Sequence, residues 1–224
     1  MFLFATAAAN TTESMGLMGA WTAGGSLMWV LLAMSVISVT MILYFLVTLR
    51  VNNVVPNRLR RDLPEYLTTN VAEARRLCDD VPSPLSAVMI ATMDALRNAP
   101  NATPEMISKV AESEGSRQSD IIQGQTQWLL DIATIAPLVG LLGTVFGMLY
   151  AFGAVGSDVA AAKPTELAAG VSKAIVTTIF GLIVAIPSMA FYAWFRRRAV
   201  RLVAELEGVC TEFVAILSSK HTQE

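Results

Sequence analysis

The stretch Ala136-Pro137-Leu138-Val139-Gly140-Leu141-Leu142-Gly143-Thr144-Val145-Phe146-Gly147-Met148 sets one proline, three glycines and one threonine in a run that carries no charged residue from Ile132 to Ser157. A bilayer core about 30 Å thick is crossed by roughly 20 apolar residues at 1.5 Å each, so this run is long enough to span it. Gly140, Gly143, Thr144 and Gly147 crowd one side of such a helix. Gly143 and Gly147 have the four-residue spacing that lets helix backbones approach. The stretch therefore predicts a membrane helix built for close packing, with one polar group at depth.

Two more stretches qualify on the same grounds, about Ser26 to Leu49 and about Ala174 to Phe195, neither of which contains a charge. With 54% hydrophobic and 15% charged residues in 224, and a mean hydropathy of +0.54, the chain is too apolar for an ordinary soluble domain. The expected fold is all-α, an integral membrane protein with three transmembrane helices, the second and third extended into a cytoplasmic helical bundle. Its expected divisions are an N-terminal segment 1-25, spans at 26-49, 132-157 and 174-195, a large region 50-131, a short connection 158-173 and a tail 196-224.

Basic residues give these spans a direction. None occurs in residues 1-49, whereas Arg50, Arg58, Arg60, Arg61, Arg75, Arg76, Arg97, Lys109 and Arg117 lie between the first two spans and Arg196, Arg197, Arg198 and Arg201 follow the third. The short connection offers only Lys163 and, at its end, Lys173. Positive charge stays on the cytoplasmic side, which predicts an external N-terminus and an internal large region and tail. Met1 to Ala9 is apolar but has no basic n-region, and it is expected to be retained rather than cleaved.

The internal region reads as helical. Pro56, Pro64, Pro82, Pro84, Pro100 and Pro104 are expected to divide it into short pieces, such as Glu65 to Asp79 and Leu85 to Asn98. Thr103-Pro104-Glu105 supplies an N-cap, a first-turn proline and an acid favoured by the helix dipole. If that helix ran on unbroken to Ser157, its ~54 residues would span roughly 80 Å. Gly115 and Gly124 weaken it by about 1 kcal/mol each. Pro164-Thr165-Glu166 is a second start signal, and the apolar positions Val203, Leu206, Val209, Phe213 and Leu217 predict one packing face on an extension of the third span.

Other chemistries find little support. Cys78 and Cys210 have no CxxC or zinc spacing and are expected to be reduced packing residues, while the single His221 sits in a polar tail. A net charge of -2 and a pI near 5.5 leave no basic face for nucleic acid. The sequence holds no G-x-S-x-G, P-loop or HExxH motif, and no paired carboxylates at membrane depth. Neither catalysis, nor a metal, nor a cofactor is expected.

Polar and small groups inside the spans admit two interpretations. Gly170, Ala174 and Thr178 form one row of the third span, and Thr177, Gly181 and Ala185 form the next, so both spans offer small faces for packing within one chain. Pro137, Gly140, Gly143, Gly147, Gly181 and Pro187 are the candidate packing residues. A membrane threonine commonly satisfies itself on a carbonyl one turn back, and Thr144, Thr177 and Thr178 need mean no more than that. The sharper interpretation is a pore or rotor seat shared by several subunits. Asp131 and Lys173 lie at opposite edges of the hydrocarbon and reach water by snorkelling, which avoids the roughly 2.5 to 3.5 kcal/mol of a charge at a helix centre.

The segment from Pro137 to Phe152, PLVGLLGTVFGMLYAF, and the segment from Gly170 to Phe195, GVSKAIVTTIFGLIVAIPSMAFYAWF, resemble the second and third membrane helices of the ExbB and TolQ branch of the MotA/TolQ/ExbB proton-channel family. The resemblance covers roughly the C-terminal half, and the three-span, N-outside topology fits that branch rather than the four-span flagellar one. It implies a stator-like subunit of an inner-membrane motor, forming a pentamer around two membrane helices of a single-pass ExbD- or TolR-type partner. It also implies that ion flow drives work passed to a TonB- or TolA-like periplasm-spanning protein. The proton-accepting carboxylate would then belong to the partner, and Thr144 and Thr178 match the family's channel-facing threonines, with Thr177 beside them. Iron-complex uptake, envelope maintenance, gliding and secretion all use similar stators.

Lys173 departs from that resemblance, since ExbB and TolQ sequences commonly carry a glutamate there. A fixed positive charge facing the pore would repel an incoming cation by about 1 kcal/mol at 4 Å in bulk water and about 4 at a surface-like dielectric. The alternatives are pairing with Glu166, with Asp158 or with an acid on the partner. Against the motor stand a scaffold protein whose glycine rows only pack helices, and a self-contained secondary transporter, which three spans without an inverted repeat disfavour.

Overall fold

The computed structural model describes residues 25–99, 102–156 and 164–221, and these form eight α-helices with no strand among them. The helices are α1 (Leu27–Thr48), α2 (Val51–Val54), α3 (Asn57–Thr69), α4 (Val71–Asp80), α5 (Pro84–Asn98), α6 (Pro104–Gly124), α7 (Gln127–Gly156) and α8 (Pro164–His221). Three helical stretches, Leu27–Thr48, Pro104–Gly153 and Gly170–Ser219, contain windows long and apolar enough to cross a membrane. The protein is an all-α membrane protein. Its third long helix begins at Pro164, within the stretch 158-173 assigned to a connection; residues 157–163 lie outside the described residues, as does the N-terminal segment up to residue 24.

The chain divides into two compact units. One comprises the described parts of Met1–Met41 and Leu129–Phe191; the other comprises the described parts of Ile42–Trp128 and Tyr192–Glu224. In the first, Met28 and Leu31 of α1 meet Ala136 of α7 and Ala185 of α8, flanked by Met34, Val139, Phe180 and Val184. Large side chains there point outward instead: Leu138, Leu149, Ile183 and Ile186 are all more than half exposed. Burial of apolar area gives no advantage when the solvent is itself hydrocarbon, so the inner surfaces are small and the outer ones large.

The second unit has the opposite arrangement, a core of large apolar residues. Leu59, Leu63 and Leu67 recur every four residues along α3 and are wholly buried. Phe45 of α1 meets Phe195 of α8 edge to face at 5.5 Å. Farther along α8, Val203, Leu206, Val209, Phe213 and Leu217 are all buried. Replacing Leu63 with alanine is expected to destabilise this unit by about 2–5 kcal/mol, seen as a lower melting temperature in detergent.

One expectation about helix breaks is corrected, and the conditional one is decided. Pro64 does not divide the chain but lies inside α3. An interior proline removes one backbone hydrogen bond and costs about 3 kcal/mol, which three buried leucines on one face offset at roughly 1.5–3 kcal/mol each. The break comes at Asn70, whose extended backbone ends α3 and whose side-chain oxygen accepts the Ala72 N–H at 3.0 Å to cap α4. Nor does one helix run unbroken from Pro104 to Ser157. It ends at Gly124, and Gln125 and Thr126 form a turn in which the Thr126 N–H donates to the Gln123 carbonyl at 3.2 Å and its hydroxyl to the same carbonyl at 2.8 Å. Glycine's weak helix propensity and a competing side-chain bond together account for the interruption.

The start of α6 follows its sequence signal, with the Thr103 hydroxyl accepting the Met106 N–H at 3.4 Å and Glu105 in the first turn. Cys78 and Cys210 are buried free thiols. Burial, helped by the neighbouring Asp79 carboxylate, pushes the Cys78 thiol up to about 12 against the opposing effect of Arg75. A raised thiol pKa means no thiolate at neutral pH. Labelling of Cys78 by a maleimide at pH 7 is therefore expected to be slow in the folded protein and to become fast on denaturation.

Candidate functional site

Helices α7 and α8 meet in the first unit along a ladder of small residues. A Cβ built on Gly181 would lie 2.7 Å from the Ala136 carbonyl oxygen and 3.2 Å from the Gly140 Cα. One on Gly140 would lie 3.0 Å from both the Thr177 carbonyl oxygen and the Thr178 Cα. A Cβ on Gly143 would lie 2.8 Å from the Thr177 Cβ, one on Gly147 2.8 Å from the Ala174 Cβ, and one on Gly170 2.5 Å from the Ala151 Cβ. Numbers rise on α7 as they fall on α8, so the two helices run antiparallel. Any larger side chain at these rungs would force the backbones apart.

The three threonines have different surroundings. Thr144 is partly exposed and its hydroxyl donates to the Leu141 carbonyl of its own helix at 2.7 Å. Thr177 is buried, packed against Gly143. Thr178 reaches across, its hydroxyl donating to the Gly140 carbonyl at 3.0 Å. That carbonyl is free for the bond because no Cβ on Gly140 holds the helices apart. The backbone of Lys173 lies in α8, and its side chain, like that of His221, lies outside the described residues. Pro137 is half-buried in α7, whereas Pro187 is exposed on α8 and stands apart from the ladder.

One polar contact was missed in the sequence. Ser38 of α1 and Ser188 of α8 are buried and lie 2.7 Å apart, oxygen to oxygen. Ser188 gives its single proton to the Val184 carbonyl at 2.7 Å, so Ser38 is the donor between them. The available signal was a serine in each of two apolar runs. Among the described residues, no buried side-chain nitrogen or oxygen lacks a partner.

No charged residue occurs in 132–156 or in 174–195. Hydroxyls and carbonyls alone can orient an ion or relay a hydrogen bond, but they cannot hold a proton as a carboxylate does. Asp131 is half-buried at the start of α7, ahead of the apolar run. Among the described residues there is no group of three His, Cys, Asp or Glu placed to hold a metal ion.

The geometry is that of a three-span helical membrane protein whose second and third spans are zipped by glycines, with threonine hydroxyls beside the seam. The chain belongs to the MotA/TolQ/ExbB proton channel family, which it matches over residues 80–208. It is 30% identical to the Tol-Pal system protein TolQ of Pseudomonas aeruginosa over 126 residues, 56% of this chain and 54% of that one. It is 26% identical to the biopolymer transport protein ExbB-like 3 of Synechocystis over 206 residues, 90% of this chain and 95% of that one. Biopolymer transport protein ExbB of Salmonella typhimurium is 34% identical over 94 residues, 41% of this chain and 37% of that one. The chain thus spans about half the length of the TolQ relative and nearly all of the Synechocystis one, and these likenesses support the ExbB/TolQ branch.

Proposed function

We propose that this chain is the ring-forming subunit of an ion-driven motor in a bacterial inner membrane. The proton motive force powers it, and it energises a TonB- or TolA-like protein spanning the periplasm. The observation that carries the reading is the α7–α8 ladder, with Thr178 bonded across it and no carboxylate in either span. A channel wall made this way needs its titrating acid from outside the chain. A single-pass ExbD- or TolR-type partner supplies it, two copies standing inside a ring of five. The arginine distribution supports a periplasmic N-terminus and a cytoplasmic C-terminus.

In this reading Thr144 and Thr178 line the path, Thr177 fixes the wall behind them, and Lys173 stands at the outer mouth. A second reading draws on the engagement of all three threonines within the chain. There the ladder only packs helices and the protein is a scaffold. Proton flux separates the two. The protein is co-purified with its single-pass partner, placed in liposomes with a pH-sensitive dye inside, and subjected to a potassium diffusion potential. The motor predicts acidification that depends on the partner's membrane carboxylate; flux no greater than in empty liposomes favours the scaffold.

A further inference from the structure

The second unit carries a cluster of arginines where its two apolar helix ends stop. Residues 42–61 contain Arg50, Arg58, Arg60 and Arg61 and no acid; residues 192–204 contain Arg196, Arg197, Arg198 and Arg201 and no acid. The fold brings the two stretches together: Arg198 donates to the Leu49 carbonyl, and Arg60 meets Glu205 at 3.2 Å. Arg60 and Arg61 have carboxylate partners, in Glu205 and Asp62. The other six form no ion pair among the described residues. Arg196 donates to the Tyr192 hydroxyl at 3.1 Å, Arg197 to the Ala193 carbonyl at 3.2 Å, and Arg198 lies 5.9 Å from the Trp194 ring centre. All but Arg198 are exposed.

We infer that this collar binds the phosphodiester headgroups of anionic phospholipids. Guanidinium groups suit phosphate oxygens through charge and a planar pair of donors. Directly before Arg50, at the end of α1, come exposed Tyr44, Leu46 and Val47, and directly before Arg196 on α8 comes Trp194, all 40 to 61% accessible. An amphipathic aromatic ring beside a basic group is the usual arrangement at a bilayer surface. That continuity with apolar surface selects a lipid over a soluble anion or an acidic protein segment, since only a lipid fills both halves. The helix turn separating Arg197 from Arg201 gives one headgroup two donors on a single face.

The test uses the full chain in a mild uncharged detergent, titrated with dioleoyl phosphatidylglycerol or dioleoyl phosphatidylcholine, and counts bound lipid by native mass spectrometry. The glycerol lipid is expected to bind at least about tenfold more tightly, a preference that falls with salt. Arg196→Gln with Arg197→Gln and Arg201→Gln should bring the two lipids close to parity, Arg→Lys at the same positions should keep part of the preference, and Lys109→Gln with Arg117→Gln should leave it intact. Equal binding of both lipids to the unaltered protein overturns the proposal, whatever the variants do. So does competition by millimolar inorganic phosphate, which would mark a soluble-anion site, and so does loss of a co-purifying protein from the arginine variant with lipid preference unchanged.

Discussion

Gly181→Val is expected to leave almost no correctly assembled protein in the membrane. The obstruction at this rung is backbone: the Ala136 carbonyl oxygen at 2.7 Å and the Gly140 Cα at 3.2 Å. No rotamer change relieves such a contact, so the helices must separate, losing the Thr178 to Gly140 bond and the packing of neighbouring rungs. Overpacking a well-filled site typically costs about 1–3 kcal/mol, and a contact with backbone belongs at or above the upper end. Gly153→Ala is the matched control, because nothing lies within 4 Å of a Cβ there. Quantifying membrane-fraction protein and its melting temperature in detergent checks both, with a loss for Gly181→Val and wild-type values for Gly153→Ala.

The second large effect concerns function rather than assembly. Thr144→Val and Thr178→Val keep the side-chain shape and remove the hydroxyl. For Thr178 the lost bond to the Gly140 carbonyl is worth about 0.6 kcal/mol in membrane helices, too little to dismantle the ladder. For Thr144 the lost bond is local to its own helix. Both variants are expected to accumulate normally yet abolish force-dependent work by the complex, read as growth or transport that depends on the energised periplasmic protein. Full activity of the double variant would remove the threonines from the ion path. Loss of protein rather than of activity would return them to the packing role.

These effects also show what the sequence disclosed. The three spans were legible because hydrocarbon tolerates no charge over some 20 residues, and the ladder was legible because Gly140, Gly143, Gly147, Gly170 and Gly181 recur at helical spacing. The α8 packing face at Val203, Leu206, Val209, Phe213 and Leu217 was legible for the same reason of periodicity. What escaped was tertiary. Pro64 reads locally as a break, because propensity says nothing of three leucines burying one face across it. The bond between Ser38 and Ser188 joins residues 150 apart in sequence, and two serines in apolar runs do not say that they meet. A membrane threonine ordinarily bonds to a carbonyl of its own helix, whereas Thr178 bonds across to Gly140 of α7.

The central claim is that this chain builds a ring around a partner's helices. The direct measurement is the native mass of the detergent-extracted protein, co-expressed with a single-pass neighbour and resolved well enough to count chains. Five copies holding two partner chains is the predicted result. A monomer or dimer that leaves the partner behind would contradict it.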